Sequence, residues 1–197
     1  MPESDPIQRW SITLSRLMGS LGEEVALLAG EELGFRIVRK ELINLAARQS
    51  GHPEIGLAAI DDLHLFNINP TPQATRTYQE ALARLVHEEA DRGACIIIGR
   101  AGQAILKSAP RSLHVRITAP LELRVARVAA RLGIPAEAAH EQIKATDRSR
   151  SYYVRRYYHI RWDDPNEYDL VLNTGRLSAS QAASMLCAAL RARLQSI

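Results

Sequence analysis

The sequence predicts an α/β fold in which a parallel sheet carries helices on both faces. Three observations predict it. Short apolar runs alternate with helical stretches along the chain. Ala94 to Ile98 is a continuous apolar run bounded by Gly93 and Gly99, which suits a strand covered on both faces. The run Ile12 to Ser15 breaks into a loop holding Gly19, Ser20 and Gly22 that leads into helical sequence.

Taken in order, Ile12 to Ser15 reads as a strand, Glu23 to Leu33 as a helix stopped by Gly34, Phe35 to Val38 as a short strand and Lys40 to Gln49 as a helix. From Ser50 to Pro72, residues such as Pro53, Gly56, Asn67, Pro70 and Pro72 interrupt short helical pieces, the signature of an irregular insertion. A helix follows from about Gln73 to Arg92, then the strand Ala94 to Ile98, which should be central in the sheet. A helix from about Gly102 to Lys107, a strand Leu113 to Thr118 and a helix Leu121 to Leu132, closed by Gly133 and Pro135, come next. Another helix begins near Ala136. After the turn-rich WDDPNEYD, Leu170 to Leu172 reads as the last strand, and Ser178 caps a final helix over Ala179 to Leu194.

A chain of 197 residues that is 46% hydrophobic and 24% charged forms one core, so residues 1–197 are expected as a single domain. Its longest apolar runs are a handful of residues and its start, MPESDPIQRW, is acidic and polar, so no membrane span is expected and the expected location is cytoplasmic. Cys95 and Cys187 make no disulfide framework, and the histidines show neither metal-ligand spacing nor a hydrolytic triad. No metal ligands are assigned. A net charge of +3 is too mild for a nucleic-acid binder, so none is expected as a partner.

The loop is the most telling chemistry. A helix opening after Gly22 leaves its first N–H groups pointing into the loop, where the helix dipole favours an anion such as phosphate. The motif G-x-x-x-x-G-K-[ST] puts a lysine just after the last glycine, yet here that residue is Glu23, followed by Glu24. Two unit charges about 4 Å apart interact by roughly 4 kcal/mol at an effective dielectric near 20, so exchanging attraction for repulsion costs about twice that. Nucleotide binding therefore requires Glu23 to point away or be neutralised, with Arg16 or another arginine supplying the cation.

Arginine is abundant, since Lys40, Lys107 and Lys144 are the only lysines, and its forked guanidinium suits phosphate oxygens. Gly99-Arg100 ends the interior strand at the edge where α/β sheets bind ligands. DRSRSYYVRRYYHIRW, from Asp147, sets Arg148, Tyr152, Arg155 and His159 on one helical face that could close over a charged ligand. The same pattern serves an amphipathic surface helix, an aromatic protein interface or, less well, a single-stranded nucleic-acid surface. Arg124, Arg127 and Arg131 form a further stripe that fits the cleft or solvent equally.

SITLSRLMGSLGEEVALLAGEELGF, CIIIGRAGQAIL, LHVRITAPLELRVAR and DRSRSYYVRRYYHIRW running into YDLVLNTGRLSASQA together resemble the cytidylate kinase-like family, in the right order over most of the chain. The resemblance implies a three-layer P-loop NTPase fold of the nucleoside monophosphate kinase type. It also implies an inserted monophosphate-binding region at about 40–92 and an arginine-bearing lid at about 135–162. In that picture ATP, with Mg²⁺, lies over Ser15, Arg16, Gly19, Ser20, Leu21, Gly22 and Glu23. Lys40 and Arg100 bind the acceptor, and Arg148, Arg150 and Arg155 are catalytic. The implied activity is transfer of the ATP γ-phosphoryl group to a nucleoside monophosphate, CMP-like, or a related small phosphate acceptor. Leu21 stands where the family loop has another glycine, Arg39 where relatives have aspartate, and Ala101 where true cytidylate kinases have aspartate. The alternative is a catalytically impaired nucleotide-binding or regulatory module. A third class, an interaction protein, would use the tyrosine and arginine helix. The oligomeric state is left open.

Overall fold

A computed structural model describes residues 6–39, 41–51 and 71–195, with side chains from 44 onward in the second segment. Its elements are β1 (Ser11–Arg16), α1 (Gly22–Leu33), β2 (Arg36–Val38), α2 (Glu41–Gln49), α3 (Pro72–Arg92), β3 (Cys95–Ile98) and α4 (Gly102–Ile105). There follow β4 (Ser112–Thr118), α5 (Leu121–Leu132), α6 (Ala136–Tyr158), β5 (Leu170–Asn173) and α7 (Ala179–Leu194). Lys40 and residues 52–70, which hold most of the expected insertion, lie outside the described residues.

Helix ends follow their caps. Gly34 and Gly133 take left-handed conformations (φ 68° and 65°) after α1 and α5. Ser178 and Gln181 exchange side-chain and backbone bonds in a capping box at the start of α7. β3 starts at Cys95 rather than Ala94, because Gly93 and Ala94 both turn through positive φ ahead of it.

The five strands are parallel in the order β2-β3-β1-β4-β5. The apolar strand β3 was expected at the centre of the sheet, but that place belongs to β1, and β3 lies beside it, still covered on both faces. Ile12, Leu14, Ile96, Ile98, Leu113, Val115 and Ile117 face α1 and α7 in the main core. Cys95 and Ile97 alternate to the other face and pack with α2 and α3. Both thiols are buried, and burial pushes Cys95 up to about 11 and Cys187 up to about 12.

The second face of β1 and β4 is polar and satisfied pair by pair. Ser11 Oγ meets Ser112 Oγ at 2.8 Å and Thr13 Oγ1 meets His114 Nδ1 at 2.8 Å, each pair facing across the register. Gly102 at the start of α4 lies close over Thr13, where a Cβ would come within 3.0 Å of Cγ2. Among the described residues no helix is long and apolar enough to cross a membrane.

Candidate active site at the carboxyl edge of the sheet

From β1 the chain runs to β2 and β3 on one side and later to β4 and β5 on the other, so the strand order reverses beside β1. In an open α/β sheet that reversal opens a crevice at the carboxyl ends of the strands. The loop between β1 and α1 sits there. Gly19 (φ 78°) has no room for a side chain, since a Cβ would lie 2.9 Å from the Arg124 carbonyl oxygen. Leu21, the residue before α1, adopts φ 60° and no side chain caps the helix, so the N–H groups of its first turn face the loop without an internal partner.

Arg16 places a cation beside the loop. Its stem lies against Gly22, where a Cβ would be 2.4 Å from the Arg16 Cβ, and its Nη1 would be 2.8 Å from a Cβ on Gly99. The guanidinium thus runs across the backbone at the end of β3 and reaches Glu23, with Nη2 3.6 Å from Oε1. Glu23 remains 57% exposed, so the pair is a charge-compensated lip rather than a buried bridge. Ser15 and Ser20 turn their hydroxyls inward. Ser15 Oγ accepts from Trp162 Nε1 at 2.8 Å, and Ser20 Oγ donates to the Leu17 carbonyl at 2.8 Å.

At the end of β3, Gly99, Arg100 and Ala101 take successive left-handed conformations (φ 75°, 59° and 51°). That conformation costs about 1–2 kcal/mol at a non-glycine residue. It is held by burial of Ala101 against Val154 and Trp162. Arg100 is half-buried near Tyr78 of α3 and Tyr153 of α6. Burial pushes both phenols up, and the Arg100 charge opposes that rise.

The arginines of α5 grip the loop from behind. Arg127 donates to the Gly19 carbonyl (3.4 Å) and the Thr174 carbonyl (2.9 Å), and Thr174 Oγ1 donates to the Ser20 carbonyl at 2.8 Å. Arg124 is 8% exposed and donates to the carbonyls of Met18 and Ala119. Helix α6 closes the front: Asp147 accepts the Met18 N–H at 2.9 Å, and Arg150 donates to the Arg16 carbonyl at 3.3 Å. Of the expected catalytic arginines, only Arg150 reaches the loop. Arg148 and Arg155 are exposed, and His159 falls beyond the helix as its left-handed cap. The inward face of α6 therefore carries Asp147, Arg150 and Val154 rather than Arg148, Tyr152 and Arg155.

Sequence reasoning missed Asp147, Thr174, Trp162 and Tyr168. The NTG run after β5 was the available signal for Thr174. A buried guanidinium, Arg116, stacks on Trp162 with its Cζ 4.4 Å from the ring centroid. It also donates to the Trp162 carbonyl and to Tyr168 Oη. Those bonds tie the segment after α6 to β4, and the Trp162 bond to Ser15 ties it to β1, the strand that carries the loop. Among the described residues, no group of three acidic, histidine or cysteine side chains could hold a metal.

A glycine loop feeding a helix at the reversal point of a five-stranded parallel sheet defines a P-loop kinase fold. The chain belongs to the cytidylate kinase-like family, whose sequence profile matches residues 11–176. It is 30% identical over 164 residues to a cytidylate kinase from Ignicoccus hospitalis, covering 83% of this chain and 88% of that one. A cytidylate kinase from Methanopyrus kandleri is 36% identical over 118 residues, 54% of this chain and 60% of that protein. A match of 33% over 91 residues, 46% of this chain, spans only 18% of a Corynebacterium glutamicum uronate isomerase. In those two cases the chain spans less than two thirds of its relative.

Among solved structures, an uncharacterized protein from Eubacterium ventriosum superimposes with a TM-score of 0.73 at 20% identity, covering 92% of this chain and 98% of that one. A shikimate kinase from Acinetobacter baumannii gives 0.53 at 14% identity over 92% and 93%. These two likenesses establish the fold.

Proposed function

We propose that the protein transfers the γ-phosphoryl group of ATP to a nucleoside monophosphate, CMP-like, or a related small phosphate acceptor. The observation that carries this reading is Arg16, a cation held at the loop with its charge balanced by Glu23 instead of a lysine built into the helix. In this reading the N–H groups of the loop and first turn of α1 hold the nucleotide phosphates, and Arg16 exchanges its contact with Glu23 for one with a phosphate oxygen. Arg100, at the neighbouring strand end, holds the acceptor phosphate. Arg150 stands over the transferring group, and Arg148 and Arg155 require α6 to turn before they can take part. Phosphoryl transfer rests chiefly on such positioning and charge neutralisation.

Mg²⁺ binds chiefly to nucleotide phosphates with one or two carboxylates, and Glu23, exposed at the lip of the loop, is a carboxylate of that kind. Bound there, the ion would offset phosphate charge.

Calorimetric titration with Mg²⁺-ATP tests the reading. The parent is expected to bind at micromolar levels and to release ADP when CMP is added, with Arg16→Met weakening nucleotide binding about tenfold or more, as expected for loss of a charge-assisted hydrogen bond. Binding without ADP release would end the kinase reading and favour the catalytically impaired nucleotide-binding module, and absence of binding would leave only a regulatory module that uses no nucleotide.

A further inference from the structure

One ion pair fixes both polar groups of a single loop residue. Asp147 Oδ1 accepts the Met18 N–H at 2.9 Å, and Asp147 Oδ2 receives Arg124 Nη1 at 2.6 Å. The same Nη1 donates to the Met18 carbonyl at 3.1 Å. The acid comes from α6 and the base from α5, and Arg124 is itself held by the Ala119 carbonyl after β4 at 3.1 Å. The side chains are 9% and 16% exposed for Arg124 and Asp147, so water competes weakly for these bonds.

A phosphate loop works by aiming successive N–H groups at one point. Gly19, next in the chain, has little intrinsic backbone preference. The direction of the loop must therefore be imposed by neighbours, and the pair at Met18 imposes it from outside the cradle. Because Arg124 neutralises Asp147, the carboxylate does so without opposing a bound phosphate.

We propose that Asp147 and Arg124 are positioning residues that couple the seating of helix α6 to the phosphate affinity of the loop. With the pair formed, the loop is preset for an anion; with it broken, both the loop and the docked helix loosen. By linkage, a bound nucleotide in turn strengthens the docking of α6. The coupling rests on the reading of this loop as a nucleotide site.

Amide exchange followed by NMR on the ligand-free protein tests the pair, alongside titration with Mg²⁺-ATP. In Asp147→Ala the Met18 amide is expected to exchange at least about tenfold faster than in the parent, the scale of one lost bond to a charged group. Amides of Ile96 and Val115 in the sheet should keep their rates, and Mg²⁺-ATP affinity should fall about tenfold. Asp147→Asn keeps an oxygen for Met18 but no charge for Arg124, so its effects should be smaller in both readouts.

If Asp147→Ala does not fold with a cation left buried, the double variant Asp147→Ala, Arg124→Met removes both charges, a change that buried pairs tolerate. It should show the same acceleration. Unchanged Met18 exchange overturns the proposal whatever binds, and faster exchange with unchanged affinity overturns the coupling. Faster exchange with no nucleotide bound by the parent overturns the nucleotide reading and leaves the positioning role standing.

Discussion

Gly99 shows how much of the site turns on one missing Cβ. Its φ of 75° is one that alanine adopts only with strain, and an added Cβ would sit 2.8 Å from the Arg16 guanidinium. Gly99→Ala should therefore cost about 1–2 kcal/mol, lowering the melting temperature by roughly 2–8 °C for a chain of this size. It should also weaken Mg²⁺-ATP binding by displacing Arg16. Thermal unfolding and titration of the same sample check both, and an unchanged affinity would show that Arg16 does not meet the nucleotide. Glu23→Gln carries the opposite sign. It removes the competing carboxylate while leaving Arg16 in place, so affinity for ATP without Mg²⁺ should rise several-fold, most clearly at low salt, because the pair is exposed. The glycine-arginine step was legible from the sequence because it ends an apolar run. That Glu23 needs neutralising and that Arg16 could supply a cation were legible too, but that the two pair with each other was not, since they meet through a bend of the backbone that residue spacing does not encode.

At the scale of elements, punctuation was legible and orientation was not. α5 ends at Gly133 and α7 begins at Ser178, because caps are local: a left-handed glycine whose own N–H bonds back into the helix at one, a serine side chain accepting a helix N–H at the other. Ser178→Ala removes the capping box and should destabilise by about 1 kcal/mol, a drop of roughly 2–4 °C in thermal unfolding. An unchanged transition would mean that the end of α7 is held by packing alone. The arginine-rich helix shows the other side. Periodicity grouped Arg148, Tyr152, Arg155 and His159 on one face, but the helix ends before His159 and the other three face outward. Tertiary packing decided it, with Ile143 and Val154 buried and Tyr152 left 62% exposed. An aromatic, basic stripe was thus a sound reading of a surface and a poor guide to which side faces the loop.

Across the whole molecule, one face of the sheet is apolar while the other is apolar at β3 and polar at β1 and β4, and that polar seam makes stability sensitive to pH. The alternation of β1 and β4 places His114 on the polar face, against Thr13, with Asp169 and Arg193 nearby. Burial is the largest influence and holds the imidazole below its ordinary value of 6.5, outweighing the Asp169 carboxylate that pulls the other way. The sign follows from linkage. The unfolded chain binds a proton near 6.5 that the folded chain resists, so the contribution of His114 is fully present above that pH. It is lost as the pH falls from 6.5 toward the depressed folded value. The melting temperature of the parent should fall between pH 7.5 and 5.5, and His114→Gln should fall less over the same interval while retaining a partner for Thr13. Equal falls in both proteins would place the acid sensitivity elsewhere, and would mean that the polar seam between β1 and β4 tolerates a buried charge.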